Sequence, residues 1–175
     1  MLGDCFGTYT YTDISSGFFE AAQDRFQEYE ERIIYSTYDM EVPPAVQGFI
    51  EGTYDVVVAA HVLHATDKLE DMMRGVRALL KPGGHVIIQE LITNDRLHLS
   101  LGMSGLPGWW VGAETGRPWG PALNLLQWDD LLRKCGFSGI DTTALYGENF
   151  QFGSQVFSAQ AMDDRVELLR SPVTN

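Results

Sequence analysis

Residues 54–60, YDVVVAA, hold the clearest structural instruction in this sequence. An uninterrupted apolar run from Val56 to Ala60 cannot alternate between a core and water. It fits a parallel strand covered on both faces and placed at the centre of an α/β sheet.

The flanking segments keep the same rhythm. Residues 9–14 (YTYTDI) are β-branched and aromatic, and Ser15 and Ser16 can cap a helix in which Phe18, Phe19, Ala22, Phe26 and Tyr29 recur near a 3.6-residue period. Residues 32–38 (RIIYSTY) form a second strand, stopped by Asp39-Met40-Glu41 and the pair Pro43-Pro44. After the central strand, Asp67 can cap a helix with Glu70 three residues on. Leu69, Met72, Met73, Val76, Leu79 and Leu80 then keep the helical period until the KPGG of residues 81–84. Residues 85–91 (HVIIQEL) are a fourth strand. Strand, helix, strand, strand, helix, strand is the order of a parallel α/β sheet.

From 93 to 123 regular patterns fade into a stretch rich in Gly, Pro and Trp, too long for an ordinary connection and expected to be a lid or substrate loop. Asn124 can cap a further helix with Leu125, Trp128, Leu131, Leu132 and Cys135 inward and Gly136 at its end. Two β-rich segments, 140–146 and 155–161, close a domain expected to run over residues 1–162. Residues 163–175 read as a polar linker tail.

Charge narrows the functions. A net charge of −12, from 12 basic and 24 acidic residues, repels a nucleic-acid backbone. The longest apolar stretch, 56–65, is broken by His61 and His64 and falls far short of the roughly 20 residues of a membrane helix. The N-terminus shows no basic segment followed by an apolar one, so a cytoplasmic protein is expected. Cys5 and Cys135 have no C-x-x-C partner or flanking His, which signals neither a metal site nor a redox pair.

Ligands of open parallel sheets bind beyond the carboxyl ends of the strands. Asp13, Asp39, the pair His61 and His64, and Glu90 stand at those ends. Asp13 can accept hydrogen bonds from ribose hydroxyls or cap the following helix, and Asp39 can accept from an adenine amine or simply end its strand. His64 and Glu90 are 26 positions apart, yet their strands would be neighbours about 5 Å apart. A carboxylate on one ring nitrogen would fix the imidazole tautomer and leave the other nitrogen as a base. The alternative is a His bonded to a backbone carbonyl and a solvated Glu.

Five segments, YTYTDISSGFFEAA, GTYDVVVAAHVLHAT, LLKPGGHVIIQEL, LPGWWVG and LLQWDDLLRKCGFSGID, together resemble the C-methyltransferase domain of fungal, highly reducing, iterative polyketide synthases. The KPGG turn is shared by most class I methyltransferases that use S-adenosylmethionine. VLHAT, with Glu90 at its spacing and a GWW loop beyond, is more specific. The resemblance implies a Rossmann-like class I methyltransferase sheet. It also implies that His64 removes the α-proton of a β-ketoacyl thioester on an acyl carrier protein, with Glu90 orienting it and no metal required. The enolate then takes the methyl group of S-adenosylmethionine. On the cofactor side the resemblance places Asp13 at the ribose, Ile14 beside the adenine, Asp39 and Met40 around the adenine ring, and His61 where many relatives carry Asn. Trp109 and Trp110, with Arg117, would line the acyl pocket.

The family's first strand and glycine-rich loop should precede Tyr9, and MLGDCFG does not contain them. The chain is therefore expected to be the C-terminal part of such a domain, with neighbouring synthase domains as partners. Two alternatives are a non-catalytic remnant serving as a structural or binding module and a small-molecule O-methyltransferase. A dinucleotide oxidoreductase fits less well, because no G-x-G-x-x-G precedes Asp13.

Overall fold

The computed structural model describes residues 5–95, 97–144 and 153–171. The chain divides into two compact units, residues 1–40 and 41–175.

In the first unit β1 (Tyr9–Asp13) pairs in parallel with β2 (Ile33–Thr37), from Tyr9 opposite Ile33 to Asp13 opposite Thr37. The crossover is a 3-10 turn (Ser16–Phe18), the helix α1 (Phe19–Arg25) and a second 3-10 segment (Gln27–Arg32). Ser15 caps the entry, its Oγ accepting from the Gly17 amide at 3.2 Å. The rings of Tyr11, Phe19 and Tyr35 meet at centroid distances of 5.7–6.1 Å and pack the crossover onto the two strands. The single amphipathic helix expected through Tyr29 breaks after one short segment, and Tyr29 has non-helical backbone angles. Tyr29 instead packs its ring 5.7 Å from that of Phe6, and the Arg32 guanidinium lies 5.8 Å from the same ring. Those contacts outweigh a helix propensity that aromatic residues already lower.

The second unit is a four-stranded sheet in the order β3-β4-β6-β5. β3 (Tyr54–Ala60) and β4 (Leu80–Leu91) are parallel, whereas β6 (Ser154–Gln160) runs antiparallel to β4 and to β5 (Thr142–Ala144). The expected closing segments are thus present, and residues 145–146 of the first lie outside the described residues. Helices α2 (Leu69–Leu79) and α4 (Leu125–Lys134) bury Met72, Met73, Val76, Leu79, Trp128 and Leu132 in a core completed by Val86, Ile88 and Phe157 of the sheet. α4 starts on a reciprocal capping box. Asn124 Oδ1 accepts from the Gln127 amide and Gln127 Oε1 from the Asn124 amide, each at 2.9 Å.

The structure corrects four expectations here. β3 is not central within its own sheet but at its edge, with Val56 and Val58 exposed. Its other flank and outer face meet no described residue of that sheet. Asp67 does not cap α2, whose N-cap is Lys68 without a side-chain bond, because Asp67 Oδ1 accepts instead from Thr115 Oγ1 at 3.0 Å. The KPGG segment does not end the helix. Residues 80–84 already belong to β4, where Gly83 adopts a φ of +81° and the ladder register shifts. Finally, the polar tail carries the helix α5 (Asp164–Arg170), capped by Asp163 Oδ1 on the amides of Arg165 and Val166, with Val166 buried.

The 93–123 stretch contains α3 (Leu97–Met103) and two 3-10 turns, Pro107–Trp110 and Ala113–Thr115. Among the described residues no helix is long and apolar enough to cross a membrane.

Candidate active site

At the carboxyl end of the β3/β4 pair, β3 runs into a 3-10 turn, Leu63–Ala65, that carries His64. Along β4 the side chains of Val86, Ile88 and Glu90 fall on the buried face by the two-residue period of a strand, so Glu90 enters the core at 1% exposure. Its Oε1 accepts from the backbone amides of Leu63 at 2.8 Å and His64 at 3.4 Å. Its Oε2 lies 2.8 Å from His64 Nδ1.

The contact between residues 26 positions apart in sequence is therefore made. A carboxylate only accepts, so Nδ1 carries the proton and Nε2 presents its lone pair. The His64 side chain keeps 25% of its surface open, enough for a substrate atom to reach the ring.

His61 is the one non-glycine residue with positive φ among the described residues, at 53°. Its amide donates to the Gln89 carbonyl at 2.8 Å, and its Nε2 lies 3.2 Å from Gln89 Nε2 and 3.3 Å from Ser154 Oγ. A left-handed residue at the end of a strand is an uncommon, costly geometry that clusters at functional sites.

The three residues expected to line an acyl pocket differ in surroundings. Trp109 is buried, and Trp110 is 42% exposed with its Nε1 donating to the Ser104 carbonyl at 2.8 Å. Arg117 is buried, and its guanidinium donates to backbone carbonyls: Nη1 to His64 at 2.9 Å and Pro121 at 3.4 Å, Nη2 to Thr66 and, at 3.5 Å, to Asp67. Burial pulls its pKa down from the usual guanidinium range, against the opposing charges of Asp67 and Glu90. Residues unmarked by the sequence reading support the same turn. Thr66, 1% exposed, donates its Oγ1 to Glu41 Oε1 at 3.1 Å, and the Asp67 amide donates to the same oxygen at 3.3 Å. A Thr within VLHAT was the only available signal.

In the first unit Asp13 ends β1. Its Oδ1 accepts from the Ser15 amide at 2.9 Å, so it serves the following turn as well, and its backbone carbonyl accepts from the Tyr38 amide at 3.0 Å. Ile14 beside it is 73% exposed, and Asp39 and Met40 follow β2 half-buried. Burial and then the charge of Asp39 raise the Tyr38 phenol above its usual pKa. A carboxylate at the end of β1, another just past the end of β2, and the open apolar side chain of Ile14 next to Asp13 are groups that could take a nucleoside whose hydroxyls and amine donate and whose ring needs an apolar face.

Residues 1–86 match the model of a family described as a methyltransferase domain. The chain is 61% identical over 174 residues to the hybrid PKS-NRPS synthetase prlS of a fungal species (strain NRRL 50135), which covers 99% of this chain and 4% of that protein. Among solved structures it superposes on the trans-methyltransferase CalH, in complex with SAH, with a TM-score of 0.82 and 36% identity, over 89% of this chain and 43% of that one. The CurJ carbon methyltransferase follows at a TM-score of 0.77 and 38% identity, over 89% and 42%. Over its own length the chain is similar to the methyltransferase domains of polyketide synthases. The chain thus has the Rossmann-like class I methyltransferase fold, and it spans less than half the length of the solved chains it matches. The exposed edge and valines of β3 lie in a fold that the solved relatives extend well beyond this segment.

Proposed function

We propose that this methyltransferase segment serves carbon methylation of the α-carbon of a β-ketoacyl thioester, carried by an acyl carrier protein within a polyketide synthase. The observation that carries the reading is the buried Glu90 carboxylate bonded to Nδ1 of a partly open His64 at 2.8 Å. That geometry leaves Nε2 free to act as a base and stabilises the imidazolium formed once it takes a proton.

The α-hydrogen between a ketone and a thioester is acidified by both carbonyls, so an imidazole suffices to remove it. Electron density left on the α-carbon would then form a carbon–carbon bond to an electrophilic methyl group as the methyl–sulfur bond breaks and its electron pair leaves on sulfur as a thioether, and His64 would retain the proton until product leaves. S-adenosylmethionine, when bound, supplies that methyl group on a sulfonium. Asp13, Ile14, Asp39 and Met40 would hold its nucleoside, and His61 would be a further cofactor contact in this reading. The tryptophans of the 93–123 stretch, Trp109 and Trp110, with Arg117, border the acyl chain in this reading. Neighbouring synthase domains would be its partners, and the whole works in the cytoplasm in this reading.

The test supplies the intact protein with carrier-bound β-ketoacyl thioester and methyl-labelled S-adenosylmethionine, and locates the methyl group by NMR. A methyl on the α-carbon supports the reading. A methyl on oxygen, or no transfer, overturns it.

A further inference from the structure

We propose that Arg117 is a positioning residue for the His64–Glu90 pair, pinning the backbone of the turn that carries His64, and that Gly112 is glycine to make room for it. The inference rests on the reading of His64 as the base. Arg117 spends its donors on the carbonyls of His64, Thr66, Asp67 and Pro121, with no carboxylate among these partners. The charges of Asp67 and Glu90 favour the cation, but its side-chain hydrogen bonds go to these backbone carbonyls, and what those bonds do is fix a path for the chain.

The path it fixes is the one that matters to the base. The turn that gives its carbonyls to Arg117 gives the amides of Leu63 and His64 to Glu90. Held from both sides, the His64 ring has its Nδ1 aimed at Oε2. Thr115 ties the same loop down a second time, its Oγ1 donating to the Asp67 carbonyl at 2.8 Å.

Gly112 supplies independent support. Its φ of −98° and ψ of 10° are open to any residue, so the backbone there does not call for glycine. Space does: a Cβ on residue 112 would collide with Nε, Cζ and Nη2 of Arg117. The Arg117 amide also donates to the Gly112 carbonyl at 2.9 Å, which closes the loop around its own side chain.

Gly112→Ala therefore displaces the guanidinium without removing it, and Arg117→Ala removes it and frees the space. The experiment compares both, their double variant and Arg117→Lys in the intact protein. It measures kcat, the KM for S-adenosylmethionine and the rate at which diethyl pyrocarbonate labels His64, resolved by peptide mass. Misplacement near 1 Å can cost about a hundredfold, so kcat is expected to fall by about tenfold to a hundredfold in each single variant. The donor KM should stay nearly unchanged. His64 labelling should shift in both while labelling of His98 does not, and Arg117→Lys should recover part of the loss. The double variant should match Arg117→Ala alone, because nothing remains for the new methyl group to displace. Wild-type labelling of His64 in Gly112→Ala, or losses that multiply in the double variant, would overturn the proposal. If the wild-type protein transfers no methyl group, the functional reading fails, while the labelling still decides the role of Arg117.

Discussion

Substituting Glu90→Gln keeps the shape of the side chain and replaces one acceptor oxygen by an NH2 donor, at a position only 1% exposed. Two backbone amides point at Oε1, and the His64 ring nitrogen sits 2.8 Å from Oε2. If the amide oxygen keeps the backbone amides, the NH2 faces Nδ1 and can only donate, which forces the imidazole proton onto Nε2. The opposite orientation sets NH2 against two buried N–H groups, leaving donors unpaired at about 1–3 kcal/mol each. The first orientation wins, and the ring is left in the tautomer that cannot accept the α-proton. Returning to the reactive tautomer costs about 1–3 kcal/mol, and the imidazolium loses a charged partner worth about 1.5–3 kcal/mol more. The sum of about 2.5–6 kcal/mol corresponds to about 10² to 10⁴ in rate. The assay is turnover of saturating β-ketoacyl thioester by the intact protein, with Glu90→Gln alone and combined with His64→Ala. Two residues acting as one unit cannot be removed twice, so the double variant should be no slower than His64→Ala. A double variant slower by the full Glu90→Gln factor would refute the dyad.

Three further outcomes are expected. The 175-residue chain alone should bind S-adenosylmethionine weakly in calorimetric titration, since it spans 43% of the CalH chain; a micromolar Kd, about −8 kcal/mol, would show that the segment suffices. Burial pushes the Cys135 thiol up to about 11, so at pH 8 only about one thiol in a thousand is ionised and alkylation should rise about tenfold per pH unit up to that value. Mass-resolved alkylation against the exposed Cys5 checks this, and equal rates at pH 8 would contradict it. Asn124→Ala removes the side-chain half of the α4 capping box and should lower stability by about 1 kcal/mol in denaturant titration, with no effect on cofactor binding.

The contact of His64 with Glu90 was legible in the sequence because parallel strands separated by one helix are neighbours, which brings their carboxyl ends together whatever the spacing between them. The alternation Val86, Ile88, Glu90 could have placed the carboxylate in the core as well, an unusual site for Glu and a pointer to a bonded partner. What stayed hidden depends on contacts far along the chain. The break after α1 follows from Phe6 meeting Tyr29, and the lost cap at Asp67 from Thr115, 48 positions away. Arg117 turns inward to carbonyls 50 or more positions back, which no local pattern announces. The edge position of β3 was missed because its apolar run reports what the strand is built to be covered by, not which neighbours this segment holds. The helix α5 did leave a signal, an Asp163 N-cap three residues before an apolar Val166, that a polar composition masked.

His64→Ala in the intact protein separates proton removal from cofactor binding when methyl transfer to a β-ketoacyl thioester and affinity for S-adenosylmethionine are measured side by side. Removing a general base typically costs about 10² to 10⁴ in rate. A loss of that size is expected with cofactor affinity nearly unchanged, because an imidazole acting as the base meets the substrate alone. Unchanged turnover, or a loss that tracks weakened cofactor binding, would contradict that role.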